Sequence, residues 1–492
     1  MRTVLMPPDA PTLMWSTRAI GYTTPSAVAD LIDNSISAMA NEIRIVYMSG
    51  EEGYVSILDN GEGMSPERLQ LAMKYGSGSP TMERSESDLG RFGLGLKTAS
   101  LSQCRQLTVV SKQKNDVSAY CWDLDHIFAT KEWELLELDY DEIRRLPQVD
   151  ELLKMTEGTL VVWKKLDKMC AGDSDKEKGF LLRIKEVEEH ISKTFHRFMQ
   201  GESGINKVSI YSNGILLQPD DPFFVGKSNE MPAEPIPVEY TSPSSGPAIA
   251  HVKVVPYILP FSDSITQEEL NSLGGKDGLI RNQGFYVYRN KRLIVSADWF
   301  RLTRKTDLTK LCRVRVDIPN TLDELWTIDV KKSMAVPPEI VLKNLKRIIT
   351  PIIHAGKRKY SFRANTETRA DQGVRLWVPQ ETRNGMIYSI NPEYPIYKDL
   401  IESIPDKRKW KVFIRLLEQN IPVNAIHTDF YEDKKYAFED VDVALENVKK
   451  NLRELLEELP PEERRTEFLD LMGMKPFSEY TLSFEDLGDF NE

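Results

Sequence analysis

Three stretches in the first fifth of the chain combine residue types and spacings that could do chemistry. "AVADLIDNSISAMA" (27–40) reads as an amphipathic helix with Val28, Leu31, Ile32 and Ile36 on one side. Asp30 and Asn34 stand four residues apart and so project from one helical face. Flanked by apolar residues, that face is a costly place for an unpaired carboxylate and amide, which points to a ligand; a solvated polar stripe is the plainer alternative. "VSILDNGEGMS" (55–65) is a β-rich strand running into Asp59-Asn60-Gly61-Glu62-Gly63, which alone would be an Asn-Gly hairpin turn. "SDLGRFGLGLKTASLSQC" (87–104) sets Gly90, Gly93 and Gly95 as G-x-x-G-x-G ahead of a helical run. Glycines at such spacings let backbone N–H groups approach an anion at a helix N-terminus. A dinucleotide loop would need a strand just before it, and "SGSPTMERSESD" is too polar for one; the loop also lacks the G-K-[ST] of a P-loop. Each signal is weak alone, and their order along the chain is what carries weight.

Together these residues resemble the GHKL ATPases: gyrase B, the MutL mismatch-repair proteins, the MORC proteins, the large heat-shock chaperone and the histidine kinases. The family pattern is an acid and, four positions on, an Asn on a helix, then D-x-G-x-G, a mobile lid and G-x-x-G-x-G. This chain supplies Asp30 and Asn34, then Asp59, Gly61 and Gly63, a lid from about Tyr75 to Leu89, then Gly90, Gly93 and Gly95. "EGTLVVWKKL" is similar to the family strand that carries a Gly-Thr pair, here Gly158 and Thr159. The match is closest to bacterial MORC-like proteins and spans about the first 170 residues, a domain of ordinary size.

The resemblance implies ATP and Mg2+ as cofactors. Asn34 offers a neutral amide oxygen to a hard cation that keeps several waters. Asp59 takes the adenine amino group, Gly61, Gly63 and Met64 border the base, and Thr159 completes that pocket. Gly90, Phe92, Gly93, Leu94, Gly95 and Lys97 hold the triphosphate. Asp30 departs from the pattern, because most hydrolysing relatives carry Glu there to orient the attacking water. Asp is one methylene shorter, so either the helix sits closer or turnover is slow; an acid at this place still favours hydrolysis.

The elements that must position these residues imply an α+β fold in three parts. They are a GHKL (Bergerat) α/β sandwich over 1–203, a transducer-like α/β domain over 204–363, and a mainly helical region with an acidic tail over 364–492. A chain of 492 residues accommodates two or three domains. "FLLRIKEVEEHISKTFHRFM" (180–199) has helical spacing, "KVSIYSNGILL" opens a β-rich region at an Asn213 turn, and "NQGFYVYRNKRLIV" (282–295) reads as a hairpin. Two further strands and a helix follow up to about residue 350, an order that resembles the transducer of gyrase B, MutL and MORC proteins. In that family a transducer lysine reaches the γ-phosphate; "IDVKKSMAVPP" offers Lys331 and Lys332, with Lys332 preferred, and a solvated strand end is the alternative. Beyond lie two helices split by Pro405. Val441, Leu445, Val448, Leu452, Leu455 and Leu459 then follow a coiled-coil spacing too short for a convincing coiled coil, so packing on the chain's own body is expected.

The net charge of −11 hides a polarised chain. From Arg281 to Arg363 nineteen Lys/Arg face seven Asp/Glu, an excess of +12, whereas from Asp429 to Glu492 nineteen acids face eight bases, or −11. One-signed blocks usually mark interaction surfaces. The basic segment 281–363 is the candidate contact for duplex DNA, through Arg301, Arg304 and Lys305 in "WFRLTRKTD"; the acidic tail could instead dock on the transducer. No apolar run approaches the ~20 residues of a membrane span, and the N-terminus has no apolar signal region, so no membrane partner is expected. Cys104, Cys121, Cys170 and Cys312 form no C-x-x-C pair, which speaks against zinc or a disulfide frame and fits a reducing cytoplasm.

The functional expectation is an ATPase acting as an ATP-dependent homodimeric clamp or switch on DNA, as MORC- and MutL-like members do, with protein partners met through the helical C-terminal region. The alternatives are the ATPase subunit of a type II topoisomerase-like complex and a chaperone-like ATPase with protein clients. A histidine kinase is not expected, since the resemblance implies a phospho-accepting helical hairpin before the ATPase in those enzymes and only about 25 residues precede it here.

Overall fold

The helix expected at 27–40 runs from Thr24 to Ser37 (α2) in the computed structural model, and local chemistry fixes its start. Thr23 and Ser26 form a reciprocal capping box, and Pro25 occupies the first turn, where no backbone donor is needed. Before it, Ala10–Arg18 (α1) is capped by the Asp9 carboxylate, which accepts from the Thr12 N–H. The structure describes residues 3, 6, 8–19, 21–75, 95–169, 172–242, 246–260, 265–275, 278–323, 325–326, 335–353, 376–382, 385–405, 407–421, 441–457, 459–473, 477, 480 and 482–488. They divide into two units, Met1–Tyr360 and Ser361–Glu492.

The first unit holds two sheets. Strands β1 (Glu42–Met48), β2 (Tyr54–Asp59), β3 (Gln106–Gln113), β4 (Asp116–Asp123), β5 (Leu136–Glu137), β6 (Gly158–Lys164), β7 (Ser209–Ser212) and β8 (Ile215–Leu216) form a sheet in the order β5-β4-β3-β6-β2-β1-β7-β8. Its pairs are antiparallel except β1 with β7. Successive residues point to opposite faces. Ile57, Val109 and Val161 therefore enter a large core with α2, Gly95–Leu101 (α4) and Lys176–Thr194 (α5), α3 being Pro66–Met73. Leu58, Val110 and Leu160 pack instead under the short helices Tyr140–Arg144 and Val149–Lys154. Burial on both faces is why these strands read as nearly continuous apolar runs.

Two local features differ from the sequence reading. The helix of 180–199 is broken at Phe195, which is fully buried between α5 and His196–Gln200 (α6). The hairpin at Asn213-Gly214, both with positive φ, does not open the second region: β7 pairs parallel to β1 and completes the first sheet.

The second sheet contains β9 (Asn229–Glu230), β10 (Glu234–Ser242), β11 (Gly246–Ile258), β12 (Gly284–Arg289), β13 (Arg292–Asp298) and β14 (Cys312–Ile318), in the order β10-β11-β14-β12-β13 with β9 on β11. Asn290 and Lys291 both take positive φ, which gives the β12–β13 hairpin a two-residue turn whose twist suits the strands. The helix over 339–353 (α7) covers this sheet with Val341, Leu345, Ile348 and Ile352. Residues 327–334, where the sequence reading expects a further strand and the two candidate lysines, lie outside the described residues.

The second unit is not purely helical. Trp377–Thr382 pairs antiparallel with Gly385–Ile390, followed by helices Pro395–Ser403, Lys407–Gln419, Val441–Glu457 and Arg464–Met472. Val448, Leu452 and Leu456 bury against Phe468, Leu471, Phe477 and Leu487, so the heptad-like helix packs on its own unit. The chain is thus a mixed α/β protein, and no described helix is long and apolar enough to cross a membrane.

Candidate functional site

Every residue of α2 from Ala27 to Asp33 is buried, and Asn34 is exposed. The helix therefore carries the Asp30 carboxylate inside the protein and presents the Asn34 amide one turn later. Asp30 is 3% exposed, and its Oδ2 accepts from the Tyr22 hydroxyl at 2.9 Å. A Cβ built on Gly95, the first residue of α4, would stand 3.5 Å from that oxygen, so α4 begins directly against the carboxylate.

Asp59 ends β2 and is also buried. Its Oδ2 accepts from the Ser35 hydroxyl at 2.7 Å and its Oδ1 from the Gly61 N–H at 2.9 Å. Burial pushes its pKa up; the bonds from Ser35, Gly61 and Thr159 work against that rise. Beside it, Ser111 joins two expected site residues: it accepts from the Met64 N–H at 2.9 Å and lies 3.0 Å from the Thr159 hydroxyl. Glycine is required here because backbone meets backbone. A Cβ on Gly63, where φ is +63°, would come 2.0 Å from the Lys112 carbonyl oxygen, and one on Gly61 would come 2.6 Å from that of Ala38.

The structure thus brings together Asp30, Asp59, Gly61, Gly63, Met64, Gly95 and Thr159, with Asn34 at the surface of the same helix. Lys97, expected to add a positive charge at the triphosphate, is turned inward. Its side chain is buried and its ammonium donates to the Ala72 carbonyl at 2.7 Å in the last turn of α3, where a cation suits the helix dipole. Burial lowers its pKa to about 8. Gly90, Phe92, Gly93, Leu94 and lid residues 76–89 lie outside the described residues, as do Lys331 and Lys332.

A buried carboxylate held by a hydroxyl and a backbone N–H, with a threonine hydroxyl nearby that Ser111 joins to the Met64 backbone, offers acceptors and donors for a purine edge. An acid and an amide one turn apart suit a hydrated cation and a water. Residues 22–159, which contain all of these groups, match the family described as "Histidine kinase-, DNA gyrase B-, and HSP90-like ATPase". The N-terminal domain is a GHKL ATPase domain. Its relatives include the DNA mismatch repair protein MutL of Coxiella burnetii (strain RSA 493 / Nine Mile phase I), 36% identical over 97 residues, or 19% of this chain and 17% of that protein. MutL of Agrobacterium fabrum is 36% identical over 90 residues, 18% of this chain and 15% of that protein. ATPase morc-1 of Caenorhabditis elegans is 30% identical over 95 residues, 19% and 11% of the two chains. The chain thus spans only 11–17% of the length of these three relatives.

The basic segment 281–363 is less cationic at its surface than in its sequence. Arg289 makes two 2.7 Å bonds to Asp323 and is buried. Arg313 is buried and donates to the carbonyls of Pro222 and Leu273. Arg347 pairs with Glu234 at 2.8 Å, and Lys343 with Glu339 at 2.7 Å. Arg301, Arg304 and Lys305 remain exposed, although the Lys305 ammonium also donates to the Arg281 carbonyl. Sequence reasoning missed Ser35, Ser111, Tyr22 and one further residue, Arg292 of β13, whose Nε donates to Asp33 at 2.8 Å. Adjacency to the motif marks Ser35; nothing local marks the other three.

Proposed function

We propose that this chain is a Mg2+-dependent ATPase that works as an ATP-gated dimeric switch, closing as a clamp on duplex DNA. The observation that carries the reading is the arrangement on α2: Asp30 buried and oriented by Tyr22, and Asn34 exposed four residues on. Asp59 would accept from the adenine amino group, Thr159 would complete that pocket, and Asn34 would hold Mg2+. When bound, the ion would neutralise charge on the phosphates. Asp30 would orient the attacking water, and the close start of α4 at Gly95 supports compensation for its short side chain. The second sheet would act as the transducer, with Lys332 or Lys331 as the γ-phosphate sensor.

Dimer closure and DNA as the substrate are supported by the MutL and MORC relatives and by the exposed Arg301, Arg304 and Lys305. Protein partners would meet the C-terminal unit. Buried free thiols at Cys104, Cys121 and Cys312 fit a reducing compartment such as the cytoplasm.

Phosphate release measured with and without Mg2+ tests the reading. Asp30→Asn is expected to bind ATP yet hydrolyse it about 10²–10⁴-fold more slowly, the usual contribution of a positioned proton acceptor. Asn34→Ala is expected to lose Mg2+-dependent binding, and Asp30→Glu to retain or raise turnover. Wild-type turnover in Asp30→Asn overturns the assignment of Asp30.

A further inference from the structure

Arg292 stands 259 residues from Asp33 in sequence, yet it connects the second sheet to the helix that carries the site. Its Nε donates to Asp33 Oδ1 at 2.8 Å and its Nη2 lies 3.7 Å from Asp30 Oδ1. All three side chains are 3% exposed or less. The Phe195 ring lies 5.8 Å from the guanidinium carbon, and the half-buried His190 lies within the Coulomb reach of both Arg292 and Asp33.

Asp30 and Asp33, three residues apart, share a helical face. Two buried carboxylates at that spacing need a cation between them, and a planar guanidinium can serve both where an ammonium serves one. A bond to Asp33 alone would suffice to anchor the strand. The approach to Asp30 adds something else: its two oxygens are addressed from different parts of the chain, Oδ2 by Tyr22 just before α2 and Oδ1 by Arg292 from β13. Strand β13 packs on α5 and α5 packs on α2, so a shift of the second sheet displaces the guanidinium relative to the carboxylate.

We infer that Arg292 is a positioning residue, which acts through Asp33 and Asp30 to make alignment of the hydrolytic carboxylate depend on where the second sheet sits. The inference rests on the reading of Asp30 as the water-orienting group. Binding of the nucleotide base and sugar, built on β2, β6 and the Asp59 loop, does not pass through this contact.

The test uses the full chain with Arg292→Ala, Arg292→Lys, Tyr22→Phe and Asp30→Asn, reading fluorescent-ATP affinity, kcat and KM. Arg292→Ala is expected to keep affinity within about threefold and lose about 10–100-fold in kcat, the scale of a misplaced catalytic group. Arg292→Lys is expected to recover part of kcat, and the Tyr22→Phe/Arg292→Lys double variant to be non-additive, because both act on one carboxylate. Should Arg292→Ala fail to fold, Arg292→Lys decides: reduced kcat at unchanged affinity supports the inference, and full kcat overturns it. Affinity falling in step with kcat, or additive losses, also overturn it. Asp30→Asn turning over like wild type removes the underlying reading; an inactive Asp30→Asn beside an unaffected Arg292→Lys removes only the role of Arg292.

Discussion

Replacing Asp59 by Asn separates nucleotide recognition from fold stability, and the structure sets the size of both effects. The two carboxylate oxygens already accept from rigid and from mobile donors, the Gly61 N–H at 2.9 Å and the Ser35 hydroxyl at 2.7 Å. The Gly61 hydrogen cannot turn away, whereas the Ser35 hydroxyl can rotate to become an acceptor. The new amide oxygen therefore faces Gly61, and its NH2 faces Ser35. What disappears is the negative charge offered to the adenine amino group. Hydrogen bonds to charged groups contribute about 1.5–3 kcal/mol, so ATP affinity should fall about 10- to 150-fold.

Stability should move the other way or not at all. Burial raises the Asp59 pKa, so the folded chain holds that proton more tightly than the unfolded one. Stability from this group is then lost as pH rises through the folded value. Asp59→Asn should leave Tm at pH 7 unchanged or higher. Titration calorimetry with ATP and a thermal melt on the same preparation decide the matter. Wild-type affinity, or a Tm several degrees lower together with weaker binding, would refute the reasoning.

Gly63→Ala should abolish ATP binding and lower Tm by several degrees, since a left-handed Ala costs about 1–2 kcal/mol even before its clash with the Lys112 carbonyl; a normal melt refutes it. His190 and His196 both have pKa values lowered to about 4, chiefly by burial, so the folded state binds fewer protons than the unfolded one between about 6.5 and 4. Unfolding free energies from urea melts should fall as pH drops through that window, by at most roughly 3 kcal/mol per histidine, and His190→Gln/His196→Gln should flatten the acid limb. Replacing Arg301, Arg304 and Lys305 together by Glu should weaken duplex binding and flatten its salt dependence, by about 0.9 in slope for each phosphate no longer neutralised, while basal ATP hydrolysis is spared; wild type without salt-sensitive binding would favour protein clients instead.

The parts of the site legible in the sequence are those written in short-range spacing. Asp30 and Asn34 on one helix, Asp59 at a strand end, and Gly61 and Gly63 just after it follow from residues within a few positions of one another. Tertiary partners were not legible. Ser111 reads as one polar residue in an apolar strand, and only the register of β3 against β6 sets it opposite Thr159. Arg292 reads as a charged strand residue after a turn. Lys97 reads as a phosphate ligand by its place after the glycines, and the inward turn toward Ala72 depends on the packing of α3. Part of the charge excess of 281–363 is neutralised for the same reason: Asp33 and Glu234, which pair with Arg292 and Arg347, lie outside that segment. In the C-terminal unit "WVPQETRNGMIYSI" carries a strand–turn–strand pattern that the surrounding helical runs overshadow.

Sedimentation velocity on the full chain tests the central claim of an ATP-gated dimer most directly. Matched samples carry Mg2+ with a non-hydrolysable ATP analogue, with ADP, or with no nucleotide. A γ-phosphate-gated switch predicts a dimer that accumulates with the triphosphate analogue alone and is lost in Lys332→Ala or Lys331→Ala, whichever lysine senses the phosphate. The same mass distribution under all three conditions would contradict it.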